Sequence, residues 1–289
     1  MRTLAPWIDR GGRPSLLRGA VFLLLWWPAL DLARRWAVDD LGARPLAEAI
    51  HVAGDWAVRL LVLAVAITPL RHLSGATKLI GVRRMIGLAA AGYTLLHVTL
   101  WAGDLGFEFR TMAFEIAVRP YLGLGFAAAL GLAAMAATST DGMVRRLGAE
   151  RWKRLHRLVH PILILALVHL FLQSKLDLAQ GAILTGLAFA GLAVRLHLDR
   201  RSGLGWATVA IAAVTAFVFA TASEAVWFAL KTGRHVGPLL EANFVFAARI
   251  APAWWSAAIA AGTASGAAAF AVRHRRGTAA VAAGSRRSR

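Results

Sequence analysis

Residues 83–101 of the chain have the sequence RRMIGLAAAGYTLLHVTLW. Two arginines precede an apolar run from Met85 to Trp101, and one histidine, His97, lies near the far end of that run. The run approaches the about 20 apolar residues that cross about 30 Å of hydrocarbon as a helix. Because an ionisable side chain inside a membrane span is costly, His97 is a candidate functional residue.

A second apolar run, residues 158–172 (LVHPILILALVHLFL), repeats this arrangement. His169 follows His156 by thirteen residues, just as His97 follows Arg84 by thirteen. At about 1.5 Å per residue, both rings lie about 20 Å from the inner boundary if the two helices run the same way. Two imidazoles facing each other at one level suit the axial positions of an iron porphyrin. The alternative is two unrelated core histidines that bond to helix carbonyls.

The composition predicts a polytopic helical membrane protein. Of the 289 residues, 58% are hydrophobic, and the mean hydropathy is +0.59, which is too apolar for an ordinary soluble domain. Long runs such as residues 179–194 lack the alternation of a membrane β-strand. We therefore expect an all-α bundle of eight spans, near residues 17–38, 56–70, 85–101, 122–137, 158–172, 179–196, 204–230 and 250–272.

The distribution of positive charge predicts the topology. The net charge is +18, and the basic residues collect in the loops 71–84, 145–157 and 195–201. This is the pattern of cytoplasmic loops, so we expect both termini to be cytoplasmic and the spans with His97 and His169 to run outward. Anionic lipid is the expected partner of the charge, and nucleic acid is not. The chain has no cysteine, which excludes disulfides and cysteine-ligated iron–sulfur clusters.

Other candidate site residues lie at the inner ends of the same spans. His156 could ligate a second haem below the first. On a straight helix, however, its ring would point about 140° away from the face of His169, and the matching level of the other span holds Arg84. That arginine could hold a haem propionate or a flavin phosphate, or it could be a simple positive-inside anchor. His51, before the second span, could lie near a quinone.

Several short motifs resemble the MsrQ/YedZ family, the membrane subunits of bacterial periplasmic methionine sulfoxide reductase systems. Their order and spacing carry the resemblance over about residues 15–200. The motifs are residues 83–88 (RRMIGL) followed by His97, residues 41–45 (LGARP) with 51–54 (HVAG), residues 67–70 (ITPL), residues 119–122 (RPYL), residues 138–140 (TST) running on to Leu155 and His156, and His169 with Ser174 and Lys175.

The resemblance implies a ferric-reductase-like six-helix core that carries haem b. It also implies FMN, electrons from the membrane quinone pool, and a periplasmic molybdopterin subunit that reduces methionine sulfoxide in damaged proteins. The family's ligand positions fall on His97, His156 and His169, and a matching arginine falls on Arg84. We expect residues 1–202 to form this core in the bacterial inner membrane, residues 203–276 to add two further spans, and residues 277–289 to form a disordered basic tail.

Two other functions remain open from the sequence. A ferric-chelate or quinone reductase could use the same haem scaffold. A transporter or purely structural bundle could use buried ionisable residues such as Asp31 and Glu224. No glycine-rich dinucleotide motif follows a strand, so electrons must come from a quinol or a separate flavoprotein.

Overall fold

The protein is predominantly helical in the described residues, which are 5–8, 11–174, 177–200, 205–246 and 250–287 of a computed structural model. Within them the only β-pairing is an isolated bridge between Ile8 and Pro14. The helices, in chain order, are α1 Leu16–Ala37, α2 Pro45–Ser74, α3 Ile80–Asp104, α4 Phe109–Val118, α5 Pro120–Ala137, α6 Asp141–Leu147, α7 Ala149–His156, α8 Val159–Gln173, α9 Ala179–Arg200, α10 Trp206–Thr232, α11 Gly237–Ala242 and α12 Pro252–Arg287.

Eight helical segments of the described chain are long and apolar enough to cross a membrane, which confirms the predicted all-α polytopic class. Large apolar side chains point outward on them: on α1, Leu24 is 69% exposed and Trp27 is 64% exposed. Such surfaces are stable in lipid. The segments are Leu16–Ala37, Pro45–Ser74, Thr77–Asp104, Pro120–Ala137, Ala149–Gln173, Ala179–Asp199, Trp206–Thr232 and Pro252–Arg273.

The structure differs from the sequence-based expectation mainly at the helix boundaries. Helix α2 begins at Pro45 rather than near Trp56, because proline is well tolerated in the first turn of a helix. Helix α7 ends at His156, and α8 begins only at Val159. The predicted fifth span, residues 158–172, therefore corresponds to α8, and His156 lies on the separate helix before it.

The chain forms two compact units, Met1–Val65 with Gly81–Lys175, and Ala66–Ile80 with Leu176–Arg289. The first unit contains α1, the first part of α2, and α3 to α8. The second contains the end of α2 and α9 to α12. Helix α9, which the sequence analysis assigns to the six-helix core, thus belongs to the same compact unit as α10 and α12. The division at residue 202 stays a prediction for the extent of the family domain.

In the first unit, a tyrosine hydroxyl joins α3 to α1. The Tyr93 hydroxyl donates to the carbonyl oxygen of Leu25 (2.8 Å) and accepts from the backbone N–H of Ala29 (3.0 Å). Those two backbone groups are one turn apart on α1, on either side of Pro28. A side chain inserted between such groups is a recognised accompaniment of helix bending. Tyr93 therefore provides a hydrogen-bond partner for two backbone groups of α1 at the point where Pro28 disturbs the hydrogen bonds within the helix.

In the second unit, α9, α10 and α12 pack closely through small residues. A Cβ at Gly186 would collide with the side chain of Ser256 and the carbonyl oxygen of Ala216, so this glycine lets three helices meet. At Gly262 and Gly266 on α12, by contrast, an added Cβ would meet nothing within 4 Å. The buried core of this unit instead consists of Leu73, Ala190, Val194, Ala212, Ala216, Ala260 and Ala264.

Helix α12 continues to Arg287, where the sequence analysis expects a disordered tail from residue 277. Residues 278–283 are TAAVAA. Alanine has the highest intrinsic helix propensity, which accounts for a helix extending into this polar and basic segment. Residues 288 and 289 lie outside the described part of the chain.

We predict that Tyr93→Phe lowers the free energy of unfolding by about 1–3 kcal/mol, because it leaves a half-buried backbone donor and acceptor on α1 without their partner. Thermal unfolding in detergent measures the loss. Tyr121→Phe is the matched control, since that hydroxyl receives only a long bond (3.4 Å) from Arg119. Equal unfolding temperatures for the two variants would contradict the role of Tyr93.

Candidate functional site

The structure brings His97 and His169 together. His97 projects from α3 and His169 from α8, and their ring centroids are 6.2 Å apart with an interplanar angle of 79°. Both residues belong to the first compact unit. The depth match between the two spans therefore corresponds to a real juxtaposition of the two imidazoles.

Each ring forms one hydrogen bond to the backbone of a neighbouring helix. His97 Nδ1 lies 2.8 Å from the carbonyl oxygen of Ile50 on α2. His169 Nδ1 lies 2.7 Å from the carbonyl oxygen of Tyr121 on α5. Because a carbonyl oxygen can only accept, Nδ1 carries the proton in both rings, and the lone pair of each neutral imidazole is on Nε2. Histidine ligands in metal proteins are commonly held this way.

A cavity of about 1010 Å³, its open mouth included, contains both rings. Its wall is largely apolar. Its polar side chains besides the two histidines include His51, Asp55, Thr94 and Gln173. The apolar wall consists of residues such as Val58, Leu61, Val98, Leu122, Phe126, Leu132, Ala166 and Leu170.

The two histidine nitrogens are suited to a metal whose other ligands come from a cofactor rather than from the protein. Two imidazoles on opposite sides of a metal, each bonded at about 2 Å, have ring centres about 6 Å apart, close to the observed 6.2 Å. No group of three or more His, Cys, Asp or Glu side chains that could hold a bare ion occurs among the described residues. The His97–His169 pair and its apolar cavity therefore fit an iron porphyrin better than a free divalent cation.

His156 lies in different surroundings. At the end of α7, its ring stacks on Trp152 with centroids 3.9 Å apart and planes at 24°. Its Nε2 lies 3.3 Å from the hydroxyl oxygen of Thr138, and the same tryptophan donates to the Thr138 carbonyl (2.9 Å). His156 does not line the cavity of His97 and His169.

Arg84 also lies away from that cavity. Its Nη1 is 2.7 Å from Oδ1 of Asp141, an ion pair that joins α3 to α6. Both side chains are about half exposed. Arg83 and Arg84 lie close enough to His156 to act on it electrostatically. The four sequence-predicted residues thus divide into the pair His97 and His169 and the pair Arg84 and His156. Together with the neighbouring Arg83, the second pair forms a separate basic cluster.

The residues that hold the two rings escaped the sequence analysis. Ile50 and Tyr121 contribute only backbone oxygens, which no side-chain pattern reveals. Gly54 and Gly125 lie beside the rings, and the signal for them was present: an isolated glycine inside a helical pattern often marks a close approach. His51, considered for a quinone site, does line the cavity.

Comparison with known proteins gives consistent matches. The family described as "Ferric reductase like transmembrane component" matches residues 53–168, a range that contains His97 and ends one residue before His169. The relatives that match include three, from different organisms, that carry the name protein-methionine-sulfoxide reductase heme-binding subunit MsrQ. The one from Rhodospirillum rubrum is 40% identical over 199 residues, covering 68% of this chain and 93% of the relative.

The other two relatives show the same similarity over shorter ranges. A relative from Xanthomonas campestris pv. campestris is 47% identical over 152 residues, which are 52% of this chain and 68% of the relative. One from Caulobacter vibrioides is 37% identical over 189 residues, or 63% of this chain and 90% of the relative. No solved structure gives a significant match. Since the chain covers almost the whole of a relative at 40% identity, it belongs to the MsrQ family, as its motifs indicate.

Proposed function

We propose that this chain is the haem-binding membrane subunit of a protein-methionine-sulfoxide reductase and that it carries electrons to the catalytic subunit. The observation that carries the proposal is the pair of imidazoles at 6.2 Å with their Nε2 lone pairs left available. The family membership supports the rest, because the relatives are named as heme-binding subunits of that reductase.

We propose that His97 and His169 would hold one haem b through their Nε2 atoms. The bound haem supplies one-electron redox chemistry. The protein's own groups set the conditions for it. The hydrogen bonds to Ile50 and Tyr121 hold the ring orientations and raise the basicity of Nε2. Apolar side chains such as Leu61 and Phe126 line the cavity, and the low dielectric that they create would help to set the reduction potential.

For the direction of transfer, we propose that electrons enter from the membrane quinone pool and leave on the periplasmic side of the bacterial inner membrane. The basic loops support cytoplasmic termini, with anionic lipid beside those loops. His97 and His169 then lie in the outer half of the bilayer. The acceptor in this proposal is a periplasmic molybdopterin subunit that reduces methionine sulfoxide.

For the cytoplasmic side, we propose that the basic cluster holds the phosphate of FMN rather than a second haem. Arg83 and Arg84 bring positive charge close to His156, and arginine suits a phosphate through paired N–H donors. In the structure Arg84 itself pairs with Asp141. A second haem is the less favoured alternative, because His156 stacks on Trp152 and its Nε2 faces Thr138.

We predict that His97→Ala and His169→Ala each lose most of the low-spin haem signal, since either change leaves the iron without one axial ligand. Reduced-minus-oxidised visible spectra of purified protein measure it. His72→Ala is the control, because that ring is exposed on α2. Full retention of the low-spin spectrum in both cavity variants would overturn the ligand assignment.

We predict about one haem per chain in the unaltered protein, and no change in haem content for His156→Ala or Arg84→Gln. Both variants should instead lose FMN, measured by flavin fluorescence on the same samples. Arg146→Gln, a change at an exposed arginine of α6, serves as the control. A halved haem content in His156→Ala would assign His156 to a second haem and contradict the FMN proposal.

A further inference from the structure

Two glycines lie directly against the two histidine rings. A Cβ built at Gly54 on α2 would be 2.8 Å from Nδ1 and 3.0 Å from Cε1 of His97. A Cβ built at Gly125 on α5 would be 2.7 Å from both Nδ1 and Cε1 of His169. Side-chain carbons essentially never approach so closely. Each ring therefore occupies the volume that any other residue's side chain would fill.

The two contacts have the same construction. Gly54 follows Ile50 by four residues on α2, and Gly125 follows Tyr121 by four residues on α5. In an α-helix the carbonyl of residue i already accepts from the N–H of residue i+4. A carbonyl oxygen has a second lone pair, and the ring reaches it by passing over the missing side chain of the glycine. The glycine and the carbonyl one turn before it thus form a seat for the imidazole.

We propose that Gly54 and Gly125 are positioning residues that seat His97 and His169 in the orientation in which they hold the haem. This inference rests on the proposed function. The seats set two properties of the ligand pair: the Nδ1–H bond to each carbonyl, and the interplanar angle of 79° between the rings. A methyl group at either seat pushes the ring from the helix, lengthens its hydrogen bond and rotates its plane.

Three other glycines of the same unit provide matched controls. Gly87 and Gly92 lie on α3, the helix of His97, and a Cβ at either one meets nothing within 4 Å. Gly131 lies on α5, the helix of Gly125, but its Cβ would be 2.7 Å from Cδ1 and Cγ1 of Ile162 on α8. Gly131→Ala therefore produces the same degree of crowding between α5 and α8 without touching a histidine.

The test is electron paramagnetic resonance of the oxidised, purified protein. In low-spin ferric haem with two axial imidazoles, the largest g value rises as the two ring planes approach perpendicular. We expect a strongly anisotropic signal for the unaltered protein, Gly92→Ala and Gly131→Ala. In Gly54→Ala and Gly125→Ala the largest g value should fall, and the midpoint potential should become more positive as Nε2 loses donor strength.

Haem retention gives a second readout of the same seats. Groups that orient a metal ligand typically contribute about 10–100-fold in metal affinity. We therefore expect haem transfer to excess apomyoglobin to be at least about 10-fold faster from Gly54→Ala and Gly125→Ala than from Gly92→Ala. If the two seat variants accumulate without haem while Gly131→Ala is loaded, the proposal is supported by that difference alone.

Two outcomes would overturn the inference. One is a spectrum, potential and transfer rate in the seat variants equal to those of Gly92→Ala. The other is an equal loss of haem in Gly131→Ala, which would reduce the role of Gly125 to helix packing. Either result leaves the proposed function intact as long as the unaltered protein holds a low-spin haem. Absence of that haem from the unaltered protein would instead remove the proposed function itself.

Discussion

The organisation of the first unit depends on one interaction made twice, the hydrogen bond from a histidine Nδ1–H to a helix carbonyl. Ile50 on α2 receives it from His97 on α3, and Tyr121 on α5 receives it from His169 on α8. Each bond assigns the proton to Nδ1 and leaves Nε2 as a donor to a metal. An isolated imidazole in an apolar cavity would be costly; these rings instead satisfy one nitrogen and keep the other available.

Intramembrane histidines can be interpreted as structural residues that bond to helix carbonyls, or as ligands of a cofactor. In this chain the two interpretations are compatible. The same carbonyl bond would orient each ring as a ligand in the proposed haem site. The small residues Gly54 and Gly125 permit it, because helix backbone and ring come closer than a side chain allows. The second unit uses the same device for a different end, since Gly186 brings helices rather than a ligand into contact.

The sequence was sufficient for the fold class, the eight spans and the pairing of His97 with His169, because these depend on length, hydropathy and depth along a helix. It was insufficient for the seats, which depend on how α2 and α5 are rotated towards their neighbours.

The equal depth of Arg84 and His156 predicted less about the structure than the equal depth of His97 and His169. His156 terminates α7, so its direction is independent of α8, and the ring stacks on Trp152 instead. The short helices α4, α6, α7 and α11 escaped for a similar reason, since none has a long periodic pattern.

The central claim is that one iron atom is bound by two imidazoles of this chain. Near-infrared magnetic circular dichroism of the oxidised, purified protein tests it most directly, because the energy of the low-spin charge-transfer band identifies the pair of axial ligands. The account predicts a single band at the energy of bis-imidazole haem. A band characteristic of a thioether or amine ligand, or a high-spin spectrum with only one protein ligand, would contradict it.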